Sequence, residues 1–271
     1  MSKITNKRFV KKLKLARQYL ADEKYYETAT LLKSLKISFS KISNLAELLN
    51  FMNNFVSILF NSNHPNLADE IALLYIEAYS KSEQNETSKI LDDFDILCKI
   101  AALYSDFLQP FQKAFYLEKA LKLMEQKRFP LTLITKMHST IAKFYCFQVR
   151  DYNNAHRHFL ESGDISEHAK MVVMWSLCSV DEVDVLVTKI VLDYLAKNKI
   201  NESSKFLIKM LISLNKLVDN PLINFCFLAI KSFEEQNFEL FEELTILYKP
   251  EISDFHLDVE VVLEIAKRNV N

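Results

Sequence analysis

A single glycine, Gly163, stands in 271 residues, where average usage of about 7% would give roughly 19. Tight hairpins, dinucleotide fingerprints and phosphate-cradling loops need glycine, because only glycine takes positive φ without steric cost. A Rossmann fold, a Walker-type NTPase, an α/β-hydrolase and a β-barrel are therefore excluded as readings. Proline is also sparse, at Pro65, Pro110, Pro130, Pro221 and Pro250. Helix interiors need neither residue, so the chain is expected to be all-α. With 49% hydrophobic and 25% charged residues and a formal net charge of −1, it has ample material for a core and no bulk attraction to polyanions.

Periodicity supports this. Phe9, Leu13, Ala16 and Leu20 recur at helical spacing, and Lys3, Lys7, Lys11 and Lys14 fall in an arc of about 80° on the opposite face. The same reading places helices near 5–21, 25–37, 40–61, 65–80, 86–107, 111–127, 130–147, 151–162, 164–178, 181–197, 200–214, 221–236, 238–248 and 254–269. Connections this short imply antiparallel neighbours. Tyr26-x-x-Ala29, Phe111-x-x-Ala114, Tyr152-x-x-Ala155 and the variant Phe238-x-x-Phe241 each open the second helix of a pair. Their spacing gives about 40–43 residues per pair, a tetratricopeptide-like logic without the strict 34-residue period. The expected architecture is a right-handed α-solenoid of about fourteen helices, running continuously over 1–271. In this register Tyr26 packs and Tyr25 is the more exposed of the two.

Charge is unevenly spread. Residues 1–41 carry eleven Lys/Arg against three Asp/Glu, whereas Ser232–Glu260 carries nine acidic residues and one lysine, Lys249. Solvated outer faces alone produce such patterns, but the dense lysine stripe on the first helix favours electrostatic docking of a partner. Nucleic acid is not favoured, because no exposed aromatics interleave with the lysines. Catalytic readings fail. Asp92-Asp93-Phe94-Asp95 lacks an opposed acidic motif, and His156 and His158 diverge on a helix without further ligands at zinc spacing. Asp164 reads as a helix N-cap rather than a partner of His168. Cys98, Cys146, Cys178 and Cys226 form no CxxC and read as small buried residues in a reducing compartment. The longest apolar runs, near 171–180 and 223–230, fall short of the roughly 18 residues of a membrane span. No cofactor, metal or direct membrane insertion is expected, and the location is expected to be the cytosol.

Tyr25-Tyr26-Glu27 after a basic amphipathic helix resembles the opening of the Golgi-to-ER traffic protein 4 family. The likeness continues at 151–160 (DYNNAHRHFL), at Ser162-Gly163-Asp164, at Glu182-Val183-Asp184, from Val191-Leu192 to Lys197-Asn198-Lys199, at Pro221–Phe225 and at Tyr248-Lys249-Pro250. That family is the scaffold subunit of the tail-anchored protein insertion pathway. The resemblance implies a non-enzymatic bridge. Its N-terminal half, about 1–150, docks the homodimeric targeting ATPase through Lys7, Lys11, Lys14, Arg17, Tyr25, Glu27 and Lys33. Its C-terminal half, about 151–271, holds a ubiquitin-like adaptor or its BAG-domain counterpart, and through it a co-chaperone. Leu222, Phe225, Phe233, Phe238, Phe241 and Phe255 are the residues expected to present an apolar patch there. The chain departs from the family at Glu23, Lys24 and Ala29, has Lys33 for an arginine, and shortens the fungal insertion to about Leu214–Asn220. The alternative is an unrelated helical-repeat scaffold, such as a proteasome-lid-like or vesicle-fusion adaptor.

Overall fold

The computed structural model describes residues 2–36, 39, 45–82, 90–104, 110–179, 182–214, 220–253 and 256–270, with side chains omitted at 2–6, 256–257 and 266–270. Within them the chain forms fourteen α-helices and no strand. These are α1 Ser2–Ala21, α2 Tyr25–Lys33, α3 Leu45–Asn61, α4 Pro65–Ser80, α5 Ile90–Leu103, α6 Pro110–Gln126, α7 Leu131–Phe144, α8 Tyr152–Ser162, α9 Ile165–Ser176, α10 Val183–Ala196, α11 Ile200–Leu214, α12 Pro221–Glu234, α13 Phe238–Leu247 and α14 His256–Val270. A π-turn, Tyr145–Val149, extends α7. The all-α, paired-helix expectation holds, and each expected helix corresponds to one observed.

The chain divides into two compact units, Met1–Met137 and His138–Asn271. In the first, α1 packs on α2, α3 on α4 and α5 on α6, and the pairs stack through α2 on α4, α4 on α6 and α3 on α5. In the second, α8 packs on α9, α10 on α11 and α12 on α13, while α9 meets α11 and α10 meets both α12 and α14. Leu48, Met52, Phe55, Val56 and Leu59 of α3 are fully buried in the first unit, and Phe159, Ile190, Val191, Phe206 and Phe225 in the second.

The turns explain how a chain with one glycine folds this way. Glu23, Asn63, Asn198 and Gln236 occupy the middle of three-residue connections with φ of 58°, 59°, 55° and 54°. In each, the next amide reaches back five residues: Lys24 to Tyr19 at 2.8 Å, His64 to Leu59 at 2.8 Å, Lys199 to Tyr194 at 2.9 Å, Asn237 to Ser232 at 2.8 Å. That is the Schellman closure, which satisfies the last helical carbonyls but sets a left-handed residue where glycine is usual. Arg128 and Arg150 repeat the left-handed conformation, and Gly163 takes it at φ 68° to end α8. The following helices start on strong signals. Asp151, Asp164, Asn220 and Asn237 accept backbone N–H bonds as N-caps, and Pro65 and Pro221 open α4 and α12.

This turn geometry corrects the packing register. Counting from the left-handed residue, the second residue after it opens the next helix and the fifth is buried. The pairs are Tyr25/Thr28, Pro65/Ala68, Tyr152/Ala155, Ile165/His168, Ile200/Ser203 and Phe238/Phe241. The expected Tyr26-x-x-Ala29 pair is one residue out of register, so Tyr25 is partly buried and Tyr26 is exposed. Cys178 is also exposed, contrary to the buried reading. It lies in the turn after α9, beyond the last core-facing position.

Candidate functional site

The first helix presents two unlike faces. Phe9, Leu13 and Ala16 are buried against the first unit, and Lys7, Lys11 and Lys14 project the other way into solvent. The neighbouring positive charges are largely neutralised locally. Arg17 Nη2 donates to Glu47 Oε1 at 2.7 Å, Lys36 pairs with Glu77 at 2.8 Å, Lys33 pairs with Glu70, and Lys24 lies 3.8 Å from Asp22. Lys12 instead donates to Ser34 Oγ at 2.8 Å. Lys7, Arg8, Lys11 and Lys14 have no ion-pair partner among the described residues. Among the described side chains, Lys7, Lys11 and Lys14 of α1, without ion-pair partners, thus form one stripe, with the exposed Val10 next to Lys11. Of the expected docking residues, Lys7, Lys11, Lys14 and the exposed Glu27 are available, while Arg17 and Lys33 tie α1 to α3 and α2 to α4.

The two tyrosines split their roles in the reverse of the expected way. Tyr25 lies with its ring 5.1 Å from that of His64 and its hydroxyl 3.2 Å from Ser62 Oγ, joining α2 to the turn before α4. Tyr26 is 65% exposed and meets His64 only edge-on, at 5.9 Å. Helix geometry separates adjacent side chains by about 100°, so Tyr26, not Tyr25, is the aromatic that α2 presents to solvent.

In the second unit Leu222, Phe225, Phe233 and Phe241 are core residues and cannot present a surface. Phe225 packs on Phe241 and Tyr248 at 6.3 and 5.7 Å, and Phe233 on Phe238 and Phe241 at 5.2 and 5.3 Å. Phe238 is half-buried, and Phe255 lies outside the described residues. The exposed apolar side chains are different ones: Ile208 and Ile212 on α11, Phe227 on α12, Ile246 and Leu247 on α13, and Val261 on α14. Helical register reveals them. On α12 the buried positions 222, 225, 226, 229, 230 and 233 span one arc, and Phe227 falls beyond it on the side of Asn224 and Lys231. Counting aromatics without register hides this.

The buried polar groups are engaged with one another. His156 Nε2–H donates to Asp193 Oδ2 at 2.8 Å, because a carboxylate only accepts. Its Nδ1 lies 3.0 Å from Nε2 of His168, whose Nδ1 accepts from Tyr194 Oη at 2.7 Å. On the opposite face of α8, His158 Nδ1 lies 3.0 Å from His138 Nδ1. The two histidines that diverge on α8 therefore bind α7 on one side and α9 and α10 on the other. No group of three or more His, Cys, Asp or Glu among the described residues is arranged to hold a metal ion. Burial pushes the Cys146 and Cys226 thiols up to about 11 and about 12, away from nucleophilic thiolate at neutral pH. Asp93, from the acidic run on α5, accepts from the Tyr79 hydroxyl. No helix of the described residues is long and apolar enough to cross a membrane.

The sequence model of the Golgi to ER traffic protein 4 family matches residues 43–268. The chain is also similar in structure to the crystal structure of C. therm. Get4, with a TM-score of 0.73 and 15% identity over 96% of this chain and 89% of that one. At that identity the likeness is one of fold. No curated protein matches the sequence significantly.

Proposed function

Because this chain belongs to the Golgi to ER traffic protein 4 family, we propose that it is a non-enzymatic scaffold of tail-anchored membrane protein insertion. It bridges the homodimeric targeting ATPase, through its first helices, to a ubiquitin-like adaptor or BAG-domain counterpart held by its last helices, and through that adaptor to a co-chaperone, in the cytosol. The observation that carries the first half is the stripe of Lys7, Lys11 and Lys14, left without ion-pair partners among the described residues while Arg17, Lys33 and Lys36 are paired with Glu47, Glu70 and Glu77. A stripe of this kind accelerates encounter with an acidic surface and sets its salt dependence. Tyr26 on α2 adds an exposed aromatic, the residue type enriched at interfaces.

For the adaptor the reading rests on the exposed apolar side chains Phe227, Ile246, Leu247 and Val261. They stand among acidic residues, with Glu242, Glu243 and Glu260 exposed. Exposed apolar side chains flanked by charge on packed neighbouring helices favour a stable partner. The buried Leu222, Phe225, Phe233 and Phe241 then hold these helices in place, and the half-buried Phe238 packs edge-on against Phe233.

A pulldown of the full chain with purified targeting ATPase, with and without nucleotide, tests the bridge. Capture that is lost in the Lys11→Glu/Lys14→Glu variant and kept in Phe227→Asp/Ile246→Asp is the expected result for the ATPase, and the reverse for the adaptor. Capture of neither partner by the wild-type chain would favour an unrelated helical scaffold.

A further inference from the structure

The first unit carries a third surface that neither docking face uses. On α6, Phe111, Phe115, Lys119, Lys122 and Gln126 fall within about 80° of arc at 100° per residue. Among the described residues this face stays open. Phe111 is 74% exposed and Phe115 52%, for residues that a lone α-helix of a folded unit normally turns inward. Opposite them, Leu73 and Ile76 of α4 and Leu123 of α6 line the floor of a groove with a cavity of about 410 Å³. Its rim is basic. Lys119 Nζ sits 5.1 Å from the Phe115 ring centroid, and neither Lys119 nor Lys122 has an ion-pair partner among the described residues. Glu77, the acidic residue on the α4 side, is already engaged by Lys36 at 2.8 Å.

We propose that this α4–α6 groove binds an acidic amphipathic helix of a partner protein. The chemistry selects that occupant. A recessed apolar floor takes side chains spaced i, i+3/i+4 and i+7 on one helix face, as in other helix-in-groove sites. Along α6 the lining runs from Phe115 to Gln126, about 16 Å or three helical turns, with Phe111 one turn beyond it. Two unpaired lysines along one rim match Glu or Asp on the flank of the incoming helix, and their arrangement rejects a basic one. A lipid surface fits less well. The floor residues are recessed behind the rim where a flat bilayer cannot reach, and two lysines supply little attraction to anionic headgroups. The site is independent of the ATPase and adaptor faces, since none of its residues belongs to either.

The test uses the full chain and a fluorescein-labelled 16-residue helical peptide with leucines at i, i+3, i+7 and i+10 and glutamates on the flanks, read by fluorescence anisotropy. Its twin carries lysines in place of the glutamates. The glutamate peptide is expected to bind at least tenfold more tightly than the lysine peptide. Phe115→Ser should weaken it tenfold or more, and Lys119→Glu/Lys122→Glu should transfer preference to the lysine peptide. Both charge positions are exposed, so the charge-reversal variant decides the matter even if Phe115→Ser lowers the melting temperature. Equal binding of the two peptides, or no change of preference on charge reversal, overturns the proposal. So does Phe115-dependent sedimentation with phosphatidylserine/phosphatidylcholine vesicles in the absence of peptide binding.

Discussion

His156 Nδ1 and His168 Nε2 lie 3.0 Å apart in the interior of the second unit, and the bond between them links a surface carboxylate to a buried phenol. Asp193 accepts from His156, His156 accepts from His168, and His168 accepts from Tyr194. Three hydrogen bonds thereby run through helices α8, α9 and α10. His168 is fully buried between Phe159 and Phe206, with ring centroids at 5.3 and 5.2 Å. An unpaired polar group there would cost about 1–3 kcal/mol, so the string is a condition of packing rather than a decoration.

The first prediction concerns acid. Burial, and secondarily the neighbouring His156, hold the His168 pKa well below its ordinary value near 6.5. The native state therefore refuses a proton that the unfolded chain accepts. Stability is full above about pH 6.5 and is lost as pH falls below it, by about 1.4 kcal/mol at one unit below. Urea midpoints at pH 7.5 and 5.5 should show this loss, and His168→Gln, less stable at both, should show a smaller difference. A second window lies lower. Burial alone would raise the Glu161 pKa, but Lys197 at 2.5 Å and Lys199 at 2.8 Å hold it down to about 2. Its contribution is present above its ordinary value near 4.5 and disappears as pH falls toward 2, so the two effects separate cleanly.

The second prediction uses the reversed tyrosines. Tyr25→Phe removes the hydrogen bond to Ser62 and should cost about 0.5–1.5 kcal/mol. Tyr25→Ala should cost more, through the lost ring packing on His64. Tyr26→Ala should leave the melting curve within about 0.5 kcal/mol of wild type, since the side chain is mostly solvated. It should weaken ATPase capture instead. Equal destabilisation by the two alanine variants would contradict the register described above.

Third, the left-handed turn residues store strain that glycine relieves. A non-glycine residue in this conformation costs about 1–2 kcal/mol, and part of that is returned as unfolded-state entropy when glycine replaces it. Glu23→Gly and Gln236→Gly should each stabilise by about 0.5–1 kcal/mol in urea melts, Asn198→Gly by less, because asparagine tolerates the region better. Gly163→Ala runs the other way. A Cβ there meets nothing within 4 Å, so its cost is that of the φ alone, about 1–2 kcal/mol.

Much of this fold was legible because helices and their starts are local. Phe9, Leu13 and Ala16 announce the buried face of α1 by spacing alone, Pro65 and Pro221 mark first turns, and Asp164 after Gly163 is a cap in sequence as in space. What was not legible depends on geometry between helices. The left-handed Glu23 moves the packing register from Tyr26 to Tyr25, and no local pattern distinguishes Glu23 from an ordinary helical glutamate. Phe225, Phe233 and Phe241 look like a sticky cluster in composition, yet α12 and α13 turn them toward each other and leave Phe227 outside. The partnership of His156 with His168 and Asp193 spans 12 and 37 residues, which spacing on one helix cannot reveal.

The last prediction concerns salt. Lys11 and Lys14 are exposed and without ion-pair partners among the described residues, whereas Lys33 and Arg17 are held by Glu70 and Glu47. Exposed ion pairs contribute only about 0–1 kcal/mol each to stability, so none of these lysines is needed for folding. Unpaired charges act mainly on encounter, with a range set by a Debye length of about 10 Å at 0.1 M salt. Lys11→Glu/Lys14→Glu should therefore lower the association rate with the ATPase tenfold or more at 50 mM salt, with little change in dissociation and an unchanged melting temperature. The deficit should shrink toward wild type at 0.5 M salt. Lys33→Glu, which removes the same charge but also unpairs Glu70, should lower the melting temperature slightly and change association less than the double variant does per charge. Stopped-flow association measured across the salt series separates these outcomes. A salt-independent deficit in the double variant would place Lys11 and Lys14 in a tightly packed contact instead of a steering face.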